Sequence, residues 1–220
     1  MIYKELFSGS DGNCYIYNDD LMIDMGLSYK KVKPYIKNIK ILMLSHCHSD
    51  HFNIKTIKSV IDNYPLIHII CGKWLVQDLV ENDIPKRNIW VLETNKKYNL
   101  GKYTIELVET IHDVPNCAFK IKINKTGYKI FHATDLGNLD NITAKNYDLY
   151  CIEANYKQEL LEKHRKEKDE NYEYDYTYRV ENKHLSYEQA MDFLVTNMGN
   201  NSVYNLLHKS KYNFEEKDNN

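Results

Sequence analysis

Long apolar runs are missing from this chain: Ile41-Leu42-Met43-Leu44 is as long as any, far short of the roughly 20 residues that cross a bilayer. Met1-Ile2-Tyr3-Lys4-Glu5 shows no charged head followed by an apolar stretch, so no secretion signal is expected. The chain is read as cytoplasmic, with no membrane partner. The five cysteines (Cys14, Cys47, Cys71, Cys117, Cys151) contain no C-x-x-C pair, which speaks against a disulfide framework and against a cysteine-built structural zinc. Most are expected to be small apolar core residues. Net charge is missing too. Lys plus Arg number 29 against 31 Asp plus Glu, leaving −2 and no overall positive field to steer a generic polyanion. Arginine is scarce (Arg87, Arg165, Arg179). Neither a repeat period nor a Gly/Ser linker divides the 220 residues, so one domain over 1–214 is expected, with a polar tail at 215–220.

Enough hydrophobic residues are present, 43%, to build a real core. Strand-like runs cover 2–7, 14–18, 20–24, 39–44, 66–70, 88–92, 103–109, 117–123, 128–132, 148–152 and 202–207. Helical spacing appears at 32–38 (with Pro34 near the start), 54–63, 73–82, 156–170 and 186–198. Strands and helices fall in two successive runs, which predicts an α/β fold of two packed sheets with helices outside, a four-layer αββα sandwich. The one shift in composition is a charged, tyrosine-rich stretch at 157–183, read as an insertion on that domain. Within it Lys163, Arg165, Lys166 and Lys168 could meet phosphates and Tyr172, Tyr174, Tyr176 and Tyr178 could stack on bases. The interleaved Glu162, Glu167, Asp169 and Glu170 favour a plain solvated helix at least as much.

Nine histidines occur, and three of them crowd into six residues. Ser45-His46-Cys47-His48-Ser49-Asp50-His51 follows directly on the buried-strand candidate 39–44. On extended backbone, side chains 46 and 48 share a face, and Asp50 and His51 follow where the chain bends. Four potential ligands at the end of a buried strand point to a metal, and imidazole with carboxylate suits zinc, or iron or manganese. Cys47 lies between two histidines that share a face and is expected to point away. His68 and His132 fall in strand-like runs and are read as core residues; His164 is read as solvated.

The H-x-H-x-D-H pattern resembles the metallo-β-lactamase superfamily of hydrolases, and the likeness extends over nearly the whole chain. Leu21-Met22-Ile23-Asp24-Met25-Gly26, Ile111-His112-Asp113-Val114-Pro115, Ala133-Thr134-Asp135-Leu136-Gly137 and Leu206-Leu207-His208-Lys209-Ser210 supply the family's other elements in order. Lys209 departs from the usual apolar residue at its position. The resemblance implies two divalent ions, zinc first, with manganese or iron as alternatives. His46, His48 and His112 would hold one ion, Asp50, His51 and His208 the other, and Asp135 would bridge. A shared hydroxide would attack the substrate, and Asp24 would accept a hydrogen bond that sets a ligand histidine's tautomer.

Ile152-Glu153-Ala154-Asn155 and Lys183-His184-Leu185-Ser186 resemble the Glu-Ala and His-Leu-Ser motifs of the nuclease branch, which includes ribonuclease Z and the WalJ/YycJ-like exonucleases. Ser8-Gly9-Ser10-Asp11-Gly12-Asn13-Cys14 looks most like the WalJ/YycJ-like opening. Its small residues would let backbone approach the metal loop. The resemblance implies a phosphodiesterase, a DNA exonuclease-like nuclease, with Asp50, Glu153 and His184 as catalytic side chains. Glu153 would hold His184 cationic, so that the imidazole protonates the departing alkoxide. The expected partner is a nucleic acid or nucleotide substrate, and a homodimer is the one protein partner considered. A phosphodiesterase of small cyclic or signalling nucleotides is the alternative, and a thioester or lactone hydrolase a more distant one.

Overall fold

Apolar β-formers in short runs between turn residues build two sheets of six strands each. The computed structural model describes residues 2–170, 177–210 and 214, the side chains of 167–170 excepted. The side chains of Glu167, Lys168, Asp169 and Glu170, and Tyr172, Tyr174, Tyr176 and the expected tail at 215–220 as a whole, therefore lie outside what the structure describes. The chain divides into two compact units, Met1–Lys96 and Lys97–Asn220.

In the first unit, β1 (Tyr3–Phe7), β2 (Cys14–Tyr17), β3 (Leu21–Ile23), β4 (Ile41–Leu44), β5 (His68–Cys71) and β6 (Ile89–Val91) lie side by side in chain order. The β1–β2 and β2–β3 pairs are antiparallel, while β3 to β6 are parallel. Parallel neighbours need crossovers, supplied by α1 (Tyr29–Ile36), α2 (Ile54–Asn63) and α3 (Val76–Glu81). Every residue of β2, β3 and β4 is buried, the pattern of strands covered on both faces. Asn53 caps α2 by accepting the Thr56 N–H, and Ile57, Val60 and Ile61 bury one stripe of the helix. The helix expected from Val32 begins at Tyr29 instead, with Pro34 inside it. Starting earlier places Val32 and Ile36, one turn apart, in the core, and that burial overrides the proline break.

In the second unit the spatial order runs backwards: β12 (Val203–Leu207), β11 (Leu149–Glu153), β10 (Lys129–Ala133), β9 (Asn116–Ile123), β8 (Tyr103–Thr110), β7 (Lys97–Leu100). The strands β7 to β10 are antiparallel and β10 to β12 parallel, so β8, β10, β11 and β12 all run the same way. Helices α4 (Gln158–Glu170), α5 (Thr177–Lys183) and α6 (Tyr187–Asn197) complete the unit. A capping box between Ser186 and Gln189 starts α6, and Phe193 stacks on Phe131 of β10 with ring centroids 5.4 Å apart.

Two elements were not expected. The strand β7, Lys-Tyr-Asn-Leu, is half polar because it forms the sheet edge, and its alternation of exposed and half-buried residues runs over only four positions. The helix α5 lies where only an insertion was expected. Arg165 is tied into this part of the unit: Nε donates to Thr177 Oγ1 (3.0 Å), Nη2 to Glu181 Oε2 (2.8 Å), and the guanidinium lies 4.2 Å over the Tyr178 ring. That geometry favours structure over phosphate contact for Arg165. Cys14, Cys71, Cys117 and Cys151 are buried, and Cys47 is exposed. His132 is buried, while His68 is only half-buried and stacks on Trp90 at 4.1 Å. No helix among the described residues is long and apolar enough to cross a membrane.

Gly26 marks the tightest approach to the histidine loop. A Cβ there would stand 1.7 Å from the Asp50 carbonyl oxygen and 2.8 Å from Asn13 N, both backbone atoms. Gly26→Ala should cost about 3 kcal/mol or more, since rigid backbone must move. Gly127→Ala, at φ +78° with open space around it, should cost only about 1–2 kcal/mol. Urea unfolding of both variants checks the order, and equal costs would contradict the close approach.

Candidate metal centre

In the first unit the chain leaves β3 at Asp24 and β4 at Ser45, two parallel neighbours ending on the same edge. Asp24 is fully buried with a left-handed φ of 56°. Its carboxylate accepts the Ser45 N–H (2.9 Å), the Ser45 hydroxyl (2.9 Å) and the His51 Nδ1–H (2.6 Å). With its hydroxyl proton on Asp24, Ser45 Oγ can only accept from His46 Nδ1, 2.9 Å away. One carboxylate thus sets the tautomers of two histidines, directly for His51 and through Ser45 for His46, and makes Nε2 of each the ring nitrogen without a proton. The His46 ring lies 4.3 Å from that of His51 and 4.8 Å from that of His48, centroid to centroid. Asp50 Oδ2 is 3.5 Å from His51 Nε2. The loop is pinned by Met25 N–H donating to His51 O (2.8 Å) and by Trp74 Nε1–H donating to Ser45 O (3.0 Å).

In the second unit His112 follows β8, Asp135 follows β10, Glu153 ends β11 and His208 follows β12, so strand direction brings all four to one edge. His184 comes from the link between α5 and α6. Asp135 (φ 56°) and His208 (φ 53°) are left-handed, as Asp24 is. Such strain in non-glycine residues concentrates at functional sites. Asn116 holds the Asp135 turn by donating to the carbonyls of Thr134 (3.1 Å) and Asp135 (2.5 Å).

Glu153 is the hub of this cluster. It is fully buried, and its Oε2 accepts the Leu136 N–H at 3.0 Å and the Leu185 N–H at 3.4 Å. Its Oε1 accepts from His184 Nδ1 at 2.5 Å and from His208 Nδ1 at 3.2 Å. Asn155, two residues on and facing the same way, donates to the His208 carbonyl at 2.9 Å. The His184 and His208 rings stack at 5.3 Å. His112 Nδ1–H donates to the Lys183 carbonyl (3.2 Å), its Nε2 is 3.0 Å from Asp113 Oδ1, and Lys183 pairs with Asp113.

Electrostatics follows from this packing. Burial is the largest influence on Glu153 and would raise its pKa, but the His184 charge and the His184 and His208 hydrogen bonds outweigh it and hold the value below the ordinary 4.5. Burial likewise would lower His184, and Glu153 with Asp135 reverses this, raising it above the ordinary 6.5. For His112 burial prevails over Asp135 and Asp113, and its pKa is lowered.

The donors suit a divalent ion. Asp135, Glu153, His184 and His208 each offer an atom within 4.8 Å of the others', and imidazole with carboxylate is a set for zinc, iron or manganese. Residues with no assigned part in the sequence reading also hold the clusters: Ser45, Asn116, Asn155 and Lys183. Only Asn155 carried a signal, its i+2 position after Glu153 at a strand end.

The chain matches the model of the beta-lactamase superfamily domain over residues 22–205. It belongs to that superfamily, with the metallo-β-lactamase fold and His/Asp clusters of a metal-dependent hydrolase. Among solved structures it is similar to the metallo-beta-lactamase fold protein YhfI from Bacillus subtilis, at 16% identity over 96% of this chain and 86% of that one, with a TM-score of 0.72. It is also similar to human tRNase Z, short form, at 14% identity over 96% of this chain and 93% of that one, with a TM-score of 0.64. At such identities the likeness is one of fold, and it agrees with the α/β class expected from the sequence. No curated protein matches the chain.

The opposed shifts of Glu153 and His184 make a pH prediction for the metal-free protein. The raised His184 contributes stability that is whole below pH 6.5 and lost as pH rises through its folded value. The depressed Glu153 contributes stability that is whole above pH 4.5 and lost as pH falls through its folded value. The stability gap between wild type and Glu153→Gln should therefore be widest between pH 4.5 and 6.5 and shrink on both sides. Thermal unfolding across pH measures it, and a flat gap would contradict the charge pairing.

Proposed function

We propose that this protein is a dinuclear metal-dependent phosphodiesterase acting on nucleic acid, DNA exonuclease-like in its branch. His46, His48 and His112 would hold one ion, Asp50, His51 and His208 the other, with Asp135 shared and zinc the first choice of metal. Bound there, the ions supply Lewis acidity, which acidifies water and offsets negative charge at the phosphoryl group.

The observation that carries this reading is the pairing of Glu153 with His184 at 2.5 Å, which favours a cationic imidazole. Phosphodiester cleavage expels an alkoxide, a poor leaving group that gains most from a positioned acid. With Nδ1 held by Glu153, His184 keeps Nε2–H for the departing oxygen. His208 Nδ1 shares the same carboxylate, which keeps the donor and a candidate ligand in fixed relation. Asp24 orients His51 directly and His46 through Ser45. The carboxylate at position 135 suits an oxyanion substrate, and the fold neighbour tRNase Z carries nuclease action in its name. A small cyclic nucleotide is the second reading, favoured by the near-neutral charge of −2; product analysis on single- and double-stranded DNA, RNA and cyclic nucleotides separates the two.

Metal-loaded protein should hydrolyse bis(p-nitrophenyl) phosphate, and His46→Ala or Asp135→Ala should abolish turnover. Full activity in either variant, or under strong chelation, would sink the reading. His184→Ala should slow alkyl leaving groups far more than nitrophenolate, because protonation by a general acid contributes about 10²–10⁴-fold only where the leaving group needs it. Equal losses on both substrates would remove the acid role.

A further inference from the structure

The Ser8-Gly9-Ser10-Asp11-Gly12-Asn13 turn ends on a side chain with no part in the chemistry above. Asn13 is fully buried. Its Oδ1 accepts the Gly9 N–H at 3.0 Å and the Tyr15 hydroxyl at 2.8 Å, and Ser8 Oγ lies 2.8 Å behind that hydroxyl. One Nδ2–H goes to the Gly9 carbonyl at 3.0 Å. These partners settle which way the amide faces: turned round, its NH2 would meet the Gly9 N–H and its carbonyl the Gly9 oxygen.

The second Nδ2–H then points at the histidine loop. His51 Nε2 is 2.7 Å from Asn13 Nδ2, Asp50 Oδ2 is 3.2 Å away and the Asp50 carbonyl 3.4 Å. The His51 tautomer agrees with this geometry, since its Nδ1–H is given to Asp24 and Nε2 is left to accept. Backbone bonds hold the amide in place: Asn13 N–H donates to Asp50 O (2.6 Å), and Gly26 N–H donates to Asn13 O (2.9 Å).

We propose that Asn13 is a positioning residue for the metal position served by Asp50 and His51, an inference that rests on the reading of those two as ligands. One N–H lies within reach of both. In the metal-free chain it donates to His51 Nε2 and, with Asp24 on the other nitrogen, fixes the orientation of that buried ring. With an ion held by Asp50 and His51, the same N–H would be left to Asp50 Oδ2, 3.2 Å away, and would fix that carboxylate instead. A carboxamide suits the task, because it locks itself on Gly9 and Tyr15 with three groups and still presents a fourth. Neither a serine hydroxyl nor an aspartate has that set of donors and acceptors.

The test compares Asn13→Ala and Tyr15→Phe with wild type. Circular dichroism and urea midpoints of the metal-free proteins report the fold. Competition with a chromophoric chelator gives the affinity for each zinc, and the d–d absorption of cobalt(II) reports ligand geometry at each position. Asn13→Ala should bind one zinc as wild type does and the other about 10- to 100-fold more weakly, with the cobalt bands of that position altered. Tyr15→Phe loosens the amide from the side away from the metal and should weaken the same position to a smaller degree. Unchanged affinities and cobalt bands overturn the proposal. So does an equal weakening of both positions that tracks the loss in stability, which is the mark of a purely structural residue. If Asn13→Ala does not fold, Tyr15→Phe decides, and wild-type affinity at both positions in that variant overturns the proposal. Wild type that takes up no second zinc fails the dinuclear reading and this inference with it. Two zinc ions held equally by wild type and Asn13→Ala fail this inference alone.

Discussion

A carboxylate taken fully out of water must be met by donors, and that demand organises both units of this protein. Asp24 and Glu153 have no solvent exposure. Asp24 draws in a backbone amide, a hydroxyl and an imidazole; Glu153 draws in two backbone amides and two imidazoles. The donors that satisfy each acid are the residues on which the proposed chemistry depends. Satisfying the buried charge and orienting the histidines are therefore one act of packing.

Strand direction makes this possible. In a parallel run, side chains that follow successive strands collect at one edge, and the fold places a candidate residue after β3, β4, β10 and β12 and at the end of β11. The chain must also turn sharply there. Asp24, Asp135 and His208 take left-handed backbone to do so, a conformation disfavoured for a side-chain-bearing residue. Polar side chains close these turns: Asn116 holds the Asp135 turn and Asn155 the His208 turn.

Much of the fold was legible because burial imposes periodicity. The helix over 54–63 and the strands at 103–110 and 116–123 stand where apolar spacing places them. The edge strand β7 and the start of α1 were not legible, since one is half exposed and the other carries a proline, Pro34, that reads as the mark of a helix start. The histidine loop was singled out by residue type and spacing, whereas His112, Asp135, Glu153, His184 and His208 were singled out only through the family resemblance. Ser45, Asn116 and Lys183 were not, because a hydroxyl, an amide or a carbonyl in a turn looks the same in sequence whether it faces water or a histidine.

The sequence by itself determined the donor types of the histidine loop, imidazole and carboxylate without thiolate, and the strand end on which that loop stands, and the family resemblance supplied the remaining donors. The first follows from local chemistry and local periodicity. Only the tertiary structure decided who meets whom: that Glu153 serves His208 as well as His184, that Ser45 relays Asp24 to His46, and that Asn13 reaches Asp50 and His51. Apart from the Ser45 relay, these partners are separated by 31 to 55 positions in the chain. Strand register, left-handed turns and the exclusion of water bring them together, and none of these is written in the residues on either side.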